Sequence, residues 1–164
     1  MTRLLTHAVG PVPVDGLTAF AEPRFGGVGA VLPFAVWGQA GARWSDMALG
    51  VLTRDVGSAS RVASARADAL DTVERWCLMA PRRCALPVRG YRWSAHSDWI
   101  EVGPLWAPCI SEDDRRLGAG AVVIADPAAD HRAPVLMDVR EIGIWLTAPL
   151  WEAMALVRGS RAAA

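Results

Sequence analysis

The sequence predicts an α+β fold. One domain spans residues 1–164, with an antiparallel sheet, one long helix and a C-terminal helix. Three observations predict it. Short apolar runs recur between turns marked by Gly and Pro, as strands do. The stretch from Ser58 to Met79 places apolar residues at helical steps. The last segment carries helix start and stop signals. A chain of 164 residues with 52% apolar and 21% charged residues has the length of one domain and enough apolar material for a core.

The elements follow in order. Leu4 to Val9 reads as a short strand ending at the Gly10-Pro11 turn, and Asp15 to Ala21 as a brief helix stopped by Pro23. Phe25 to Gly29 is a Gly-rich loop. Ala30 to Trp37 is an apolar strand, Gly38 to Ala42 turns the chain, and Met47 to Thr53 returns to complete a hairpin. In the long helix, Val62, Ala65, Ala69, Val73 and Trp76 or Cys77 share a face. Ser58 or Ser60 caps its start, and Pro81 stops it because proline lacks the required N–H. Short strands follow at Trp99 to Val102, Ala121 to Ala125 and Val135 to Trp145. In the C-terminal helix Thr147 caps the start, Pro149 suits the first turn and Gly159 the end. The tail, residues 160–164, frays.

Charge is balanced at 17 basic and 17 acidic residues. Every basic residue is Arg, with no Lys or Asn, one Gln (Gln39) and 29 Ala, a pattern of a GC-rich genome rather than of a mechanism. Zero net charge argues against a general DNA-coating protein, which needs clustered positive charge. No apolar run reaches a membrane span or a signal-peptide core, so a soluble, cytoplasmic protein without a membrane partner is expected. Three cysteines, Cys77, Cys84 and Cys109, have neither a disulfide-framework nor a zinc spacing and read as buried thiols. Neither a metal nor another cofactor is expected. Eight Trp is a large number for this length. Most are expected in the core, and some at a partner chain.

The balanced total hides one local excess. From Arg75 to Ser97 there are five Arg and no carboxylate, interleaved with Trp76, Tyr91, Trp93 and His96. Guanidinium groups pair with phosphates, and aromatic faces stack on unpaired bases. In that reading Arg82, Arg83, Arg89 and Arg92 hold RNA phosphates while Tyr91 or Trp93 stacks. The bland alternative is a solvated loop whose arginines pack on Trp and are neutralised by the acidic second half. A second piece, Arg115-Arg116-Leu117-Gly118-Ala119-Gly120, lies before an apolar strand. Its glycines expose backbone donors to a phosphate, or simply make a hairpin turn. Among the histidines, His96 lies near Asp98 and could act as the general base of a metal-free ribonuclease. A structural histidine is the plainer reading.

The order of short motifs resembles a known family. Val14-Asp-Gly-Leu-Thr-Ala-Phe-Ala21 resembles the segment after the first strand in Cas5-like subunits of type IV CRISPR effector complexes. Val31-Leu-Pro-Phe34, Met47 to Leu52, Leu86-Pro-Val-Arg89 and Leu117-Gly-Ala-Gly120 then follow in that family's order. The chain is shorter than such subunits, its Gly-rich turn is incomplete, and its last third does not align. The resemblance implies a ferredoxin-like, repeat-associated RNA-binding fold. It implies a non-enzymatic subunit that caps the 5′ handle of a guide RNA in an antiviral ribonucleoprotein and touches other protein subunits. The site would be Arg82, Arg83, Arg89, Tyr91, Arg92, Trp93, Arg115, Arg116, Gly118 and Gly120. The competing readings are a structural assembly protein, phage- or capsid-associated and without nucleic acid, and the ribonuclease using His96.

Overall fold

The computed structural model describes residues 3–6, 24–55, 58–92, 94, 96–114, 118–129 and 133–159. Ten strands and three helices run in the order β1 (Arg3–Thr6), β2 (Arg24–Gly26), β3 (Val31–Gly38), β4 (Gly41–Leu49), β5 (Val51–Asp55), β6 (Ser58–Val62), β7 (Ser64–Arg66), α1 (Glu74–Met79), β8 (Arg83–Arg92), β9 (Ile100–Asp114), β10 (Gly118–Ala125), α2 (Val139–Thr147) and α3 (Leu150–Gly159). The α+β class and single domain stand. The sheet is mixed rather than antiparallel, because β10 runs parallel to both β4 and β7.

Five strands close on themselves. β8 pairs β3, β3 pairs β4, β4 pairs β10, β10 pairs β9, and β9 returns to β8. The result is a small barrel with β1 and β2 extending from β8. This closed circuit differs from the ferredoxin-like arrangement of an open sheet with helices on one face. Alternation along each strand sorts the side chains. Leu32 and Phe34 of β3, Met47 and Leu49 of β4, Cys84, Leu86 and Val88 of β8, Ala107 and Cys109 of β9, and Ala121 and Val123 of β10 form one cluster inside. None is more than 4% exposed. A five-stranded barrel is narrow enough for side chains to fill it. The intervening residues face out. Ala35, Ala85, Trp106, Ile110, Val122 and Ile124 form a second cluster with Ile142, Trp145, Leu146, Ala153, Met154 and Val157 of α2 and α3. Strands β8 to β10 are therefore buried on both faces over much of their length.

Several expectations are corrected. The stretch from Ser58 to Met79 is not one helix. It makes β6, β7, a 3-10 turn at Ala67–Ala69 and the six-residue α1. Val62, Ala65, Ala69 and Val73 follow a helical period, but pairing of this stretch with β5 and β10 overrides it and alanine's helix propensity. Residues 135–145 are not a strand: isolated bridges at Pro134 and Met137 lead straight into α2. Asp138 starts that helix by accepting from the N–H groups of Arg140 and Glu141, while Glu141 accepts from the N–H of Asp138. This reciprocal cap is written in the sequence as Asp-x-x-Glu. Thr147 is the last residue of α2 rather than a cap, and its Oγ1 donates to the Gly143 carbonyl. The basic stretch, expected to start at a helix end and to continue in no regular element, runs through α1 and then forms β8. The returning strand is broken in two at Gly50, whose positive φ of 94° separates β4 from β5. The helix expected at Asp15 to Ala21 and the tail 160–164 lie outside the described residues.

Candidate interaction site

Strand β8 spreads the basic stretch over its length. At about 3.3 Å per residue, Arg83 and Arg89 are roughly 20 Å apart along the chain. The arginines therefore fall into two groups at opposite ends of the strand.

At the start of β8, Arg82 is exposed and Arg83 is partly buried. Arg83 lies on the outer wall with its guanidinium 5.8 Å from the centre of the Trp145 ring, and Nη2 donates to the Ala148 carbonyl at 2.7 Å. Ala148 caps the C-terminus of α2, where carbonyls lack helical partners and a cation is favoured. Burial lowers the pKa of Arg83 from its ordinary value. Arg75, which opens the acid-free window in sequence, finds an acid in space. Nη2 meets Glu112 of β9 at 2.5 Å and the Leu52 carbonyl at 2.8 Å.

At the far end, Arg89 is exposed, and Arg92 stacks its guanidinium 4.6 Å from the Trp99 ring centre. Tyr91 packs partly against the barrel interior, and burial raises its phenol pKa. Thus Arg89, Tyr91 and Arg92 share one end of β8, while Arg82 and Arg83 occupy the other. Trp93, Arg115 and Arg116 lie outside the described residues.

The Gly-rich turn has a structural explanation. Gly118 has a φ of 77°, which an L side chain rarely adopts, and it opens β10. A Cβ on Gly120 would lie 2.9 Å from the Gly50 carbonyl oxygen. Gly120 is thus where β10 passes close to the β4–β5 kink.

His96 is exposed in a turn where Ser94 Oγ accepts from the N–H groups of His96 and Ser97. Cys84 and Cys109 are fully buried and directly opposite each other across β8 and β9, and burial pushes the Cys109 thiol well above its ordinary range. Cys77 is exposed, against the expectation that all three are buried. Among the described residues no group of three or more His, Cys, Asp or Glu side chains could hold a metal ion, and no helix is long and apolar enough to cross a membrane.

The sequence reading did not name a further surface. Trp44, Trp76, Trp106 and Trp145 belong to the outer-wall cluster, with the Trp44 and Trp106 rings stacked at 6.0 Å. Trp37 and Trp151 are different: they are 46% and 73% exposed, alongside Leu78 at 71% and Leu150 at 37%. Arg158 near the end of α3 pairs with Asp71 before α1, and Arg83 after α1 bonds to Ala148 before α3. These contacts tie the end of α3 to the segment before α1, and the segment before α3 to the start of β8. One step beyond the Val36–Cys84 pair, Trp37 lies level with Arg83. The signal was in the helical period: Ala153, Met154 and Val157 set the buried face of α3, and Trp151 falls outside it.

No protein family and no curated protein match the chain. Among solved structures, the chain is similar to a phage-related protein from Bordetella bronchiseptica, at a TM-score of 0.75 and 17% identity, over 97% of this chain and 88% of that chain. At that identity the likeness establishes a shared fold.

Proposed function

We propose that the protein is a non-enzymatic structural subunit that works in the cytoplasm by protein–protein contact within a larger particle. The observation that carries this reading is the exposure of the large apolar side chains Trp37, Leu78, Leu150 and Trp151 on a protein whose barrel interior is filled. Exposed Trp beside Arg is the composition of interfaces rather than of ordinary surface. The name of the phage-related structural neighbour supports the same reading. So do Arg75, Arg83 and Arg92, each of which already holds a side chain or carbonyl of this chain. The test is titration of labelled single-stranded RNA with the purified protein at stepped salt. The assembly reading expects no saturable, salt-dependent binding.

A second reading keeps the likeness to Cas5-like CRISPR subunits and the antiviral ribonucleoprotein it implies. The gathering of Arg89, Tyr91 and Arg92 at one end of β8 favours it, since guanidinium and aromatic groups together suit unstacked bases. RNA binding lost on Arg89→Ala, with a log–log salt slope that becomes shallower, would replace the assembly reading with this one.

A further inference from the structure

We propose that Cys84 and Cys109 are a modification site: inside the barrel they close reversibly into a disulfide that cross-links β8 to β9. The inference goes beyond the assembly reading and does not depend on it.

The strand register carries it. Cys84 and Cys109 are direct partners in the antiparallel β8–β9 pairing, and both belong to the interior cluster, where neither is exposed. The neighbours fix the kind of pair. The N–H of Ser111 donates to the Arg82 carbonyl, two residues along the same ladder. Pro108 and Pro87, which have no N–H to donate, take the alternate positions. Cys84 and Cys109 therefore form a hydrogen-bonded pair, whose α-carbons stand about 5.5 Å apart. That lies within the roughly 4.4–6.8 Å a disulfide spans. The thiols face each other as well: after burial, a hydrogen bond with Cys84 helps to raise the Cys109 pKa. Opposed β-carbons in a ladder are about 4.5–5.5 Å apart, and a disulfide draws them to about 3.8 Å. The strands must yield by that much, which keeps the bond reducible.

Closure removes two electrons and two protons from the pair, and a low-molecular-weight disulfide such as glutathione disulfide accepts them. When the barrel opens, one cysteine thiolate attacks that disulfide and releases one small thiol. The other cysteine thiolate attacks the mixed disulfide, forms the Cys84–Cys109 bond and releases the second. In a reducing cytoplasm the pair rests as two thiols, and the bond closes when the glutathione pool turns oxidising.

The test uses the full chain with the exposed Cys77→Ser, which leaves Cys84 and Cys109 as its two thiols. The chain is oxidised with glutathione disulfide in denaturant, where both thiols are accessible, and refolded by dilution. Peptide mapping identifies the cross-link. The oxidised protein should melt about 5 °C or more above its reduced twin, because the bond constrains the unfolded chain and fits the folded one. By the same linkage, the equilibrium constant for oxidation by glutathione should be at least about tenfold larger in native buffer than in denaturant. An oxidised protein that melts no higher than the reduced one, an equilibrium constant no larger in native buffer, or glutathione adducts in place of the cross-link would each overturn the inference. None of these outcomes bears on the assembly reading, which RNA titration decides.

Discussion

The inside and outside of the barrel are built from the same strands by opposite rules. Inside, Leu, Phe, Met, Val, Ala and Cys side chains fill a closed space. Outside, the packing relies on Trp, which brings an indole N–H along with its large apolar area. Trp145 uses that handle: Nε1 donates to the Cys84 carbonyl at 2.9 Å, pinning α2 to the barrel wall. The interior is sealed by closure of the strands. The outer layer is only as closed as its helices are long, and where α1 stops and α3 starts, apolar side chains remain in solvent. Contact with other molecules in this fold is therefore to be sought at the unfinished margin of the helical layer.

The largest effects come from emptying each side of the wall. Phe34→Ala inside and Trp145→Ala outside should each cost about 3–5 kcal/mol in denaturant unfolding, since each removes a fully buried ring. The two clusters are distinct, so the double variant should be additive within about 0.5 kcal/mol. Strong coupling would show that the wall transmits strain between them. Next in size is Gly120→Val. The added atoms meet the Gly50 backbone, which cannot rotate away, and overpacking of that kind costs about 1–3 kcal/mol by the same measurement.

Thiol labelling separates inside from outside without changing stability. In the folded protein one thiol, Cys77, should react quickly, while Cys84 and Cys109 react only through opening of the barrel, as counted by mass spectrometry. The smallest effect is at Tyr91, the single tyrosine. Its folded pKa is raised above the unfolded value by burial, so the unfolded chain gives up the proton first as pH rises. Its contribution is therefore fully present below the ordinary value of 10.0 and is lost as pH rises from there through the higher folded value. An absorbance titration of the phenolate should show a midpoint above 10.0 in the folded protein and a normal one in denaturant.

The sequence made some of this fold legible and concealed the rest for physical reasons. The β3–β4 hairpin and the core of β10 could be read because long apolar runs between glycines have few alternatives. The reading of 135–145 as a strand failed because Val135, Met137, Ile142 and Trp145 are all buried, and burial on one side of a helix resembles a broken strand when the cap at Asp138 is overlooked. Barrel closure was not legible, since it depends on the parallel seam of β4 with β10, between segments far apart in the chain. For the site, the charge excess from Arg75 to Ser97 was visible as a count. A count along the chain carries no direction, and an extended strand sends its two ends apart. Glu112, which meets Arg75 of α1, comes from β9, far along the chain.

The closed circuit also has a kinetic consequence. The barrel is two locally paired ribbons, β3–β4 and β8–β9–β10, joined along two seams, β3 with β8 and β4 with β10. Each ribbon can form between neighbours in sequence, but each seam requires a long loop to close first, and loop closure precedes any reward from the contact. Folding speed is thus set by the seams, and a substitution at the Gly50–Gly120 crossing, which lies on the second of them, should slow refolding more than one within either ribbon.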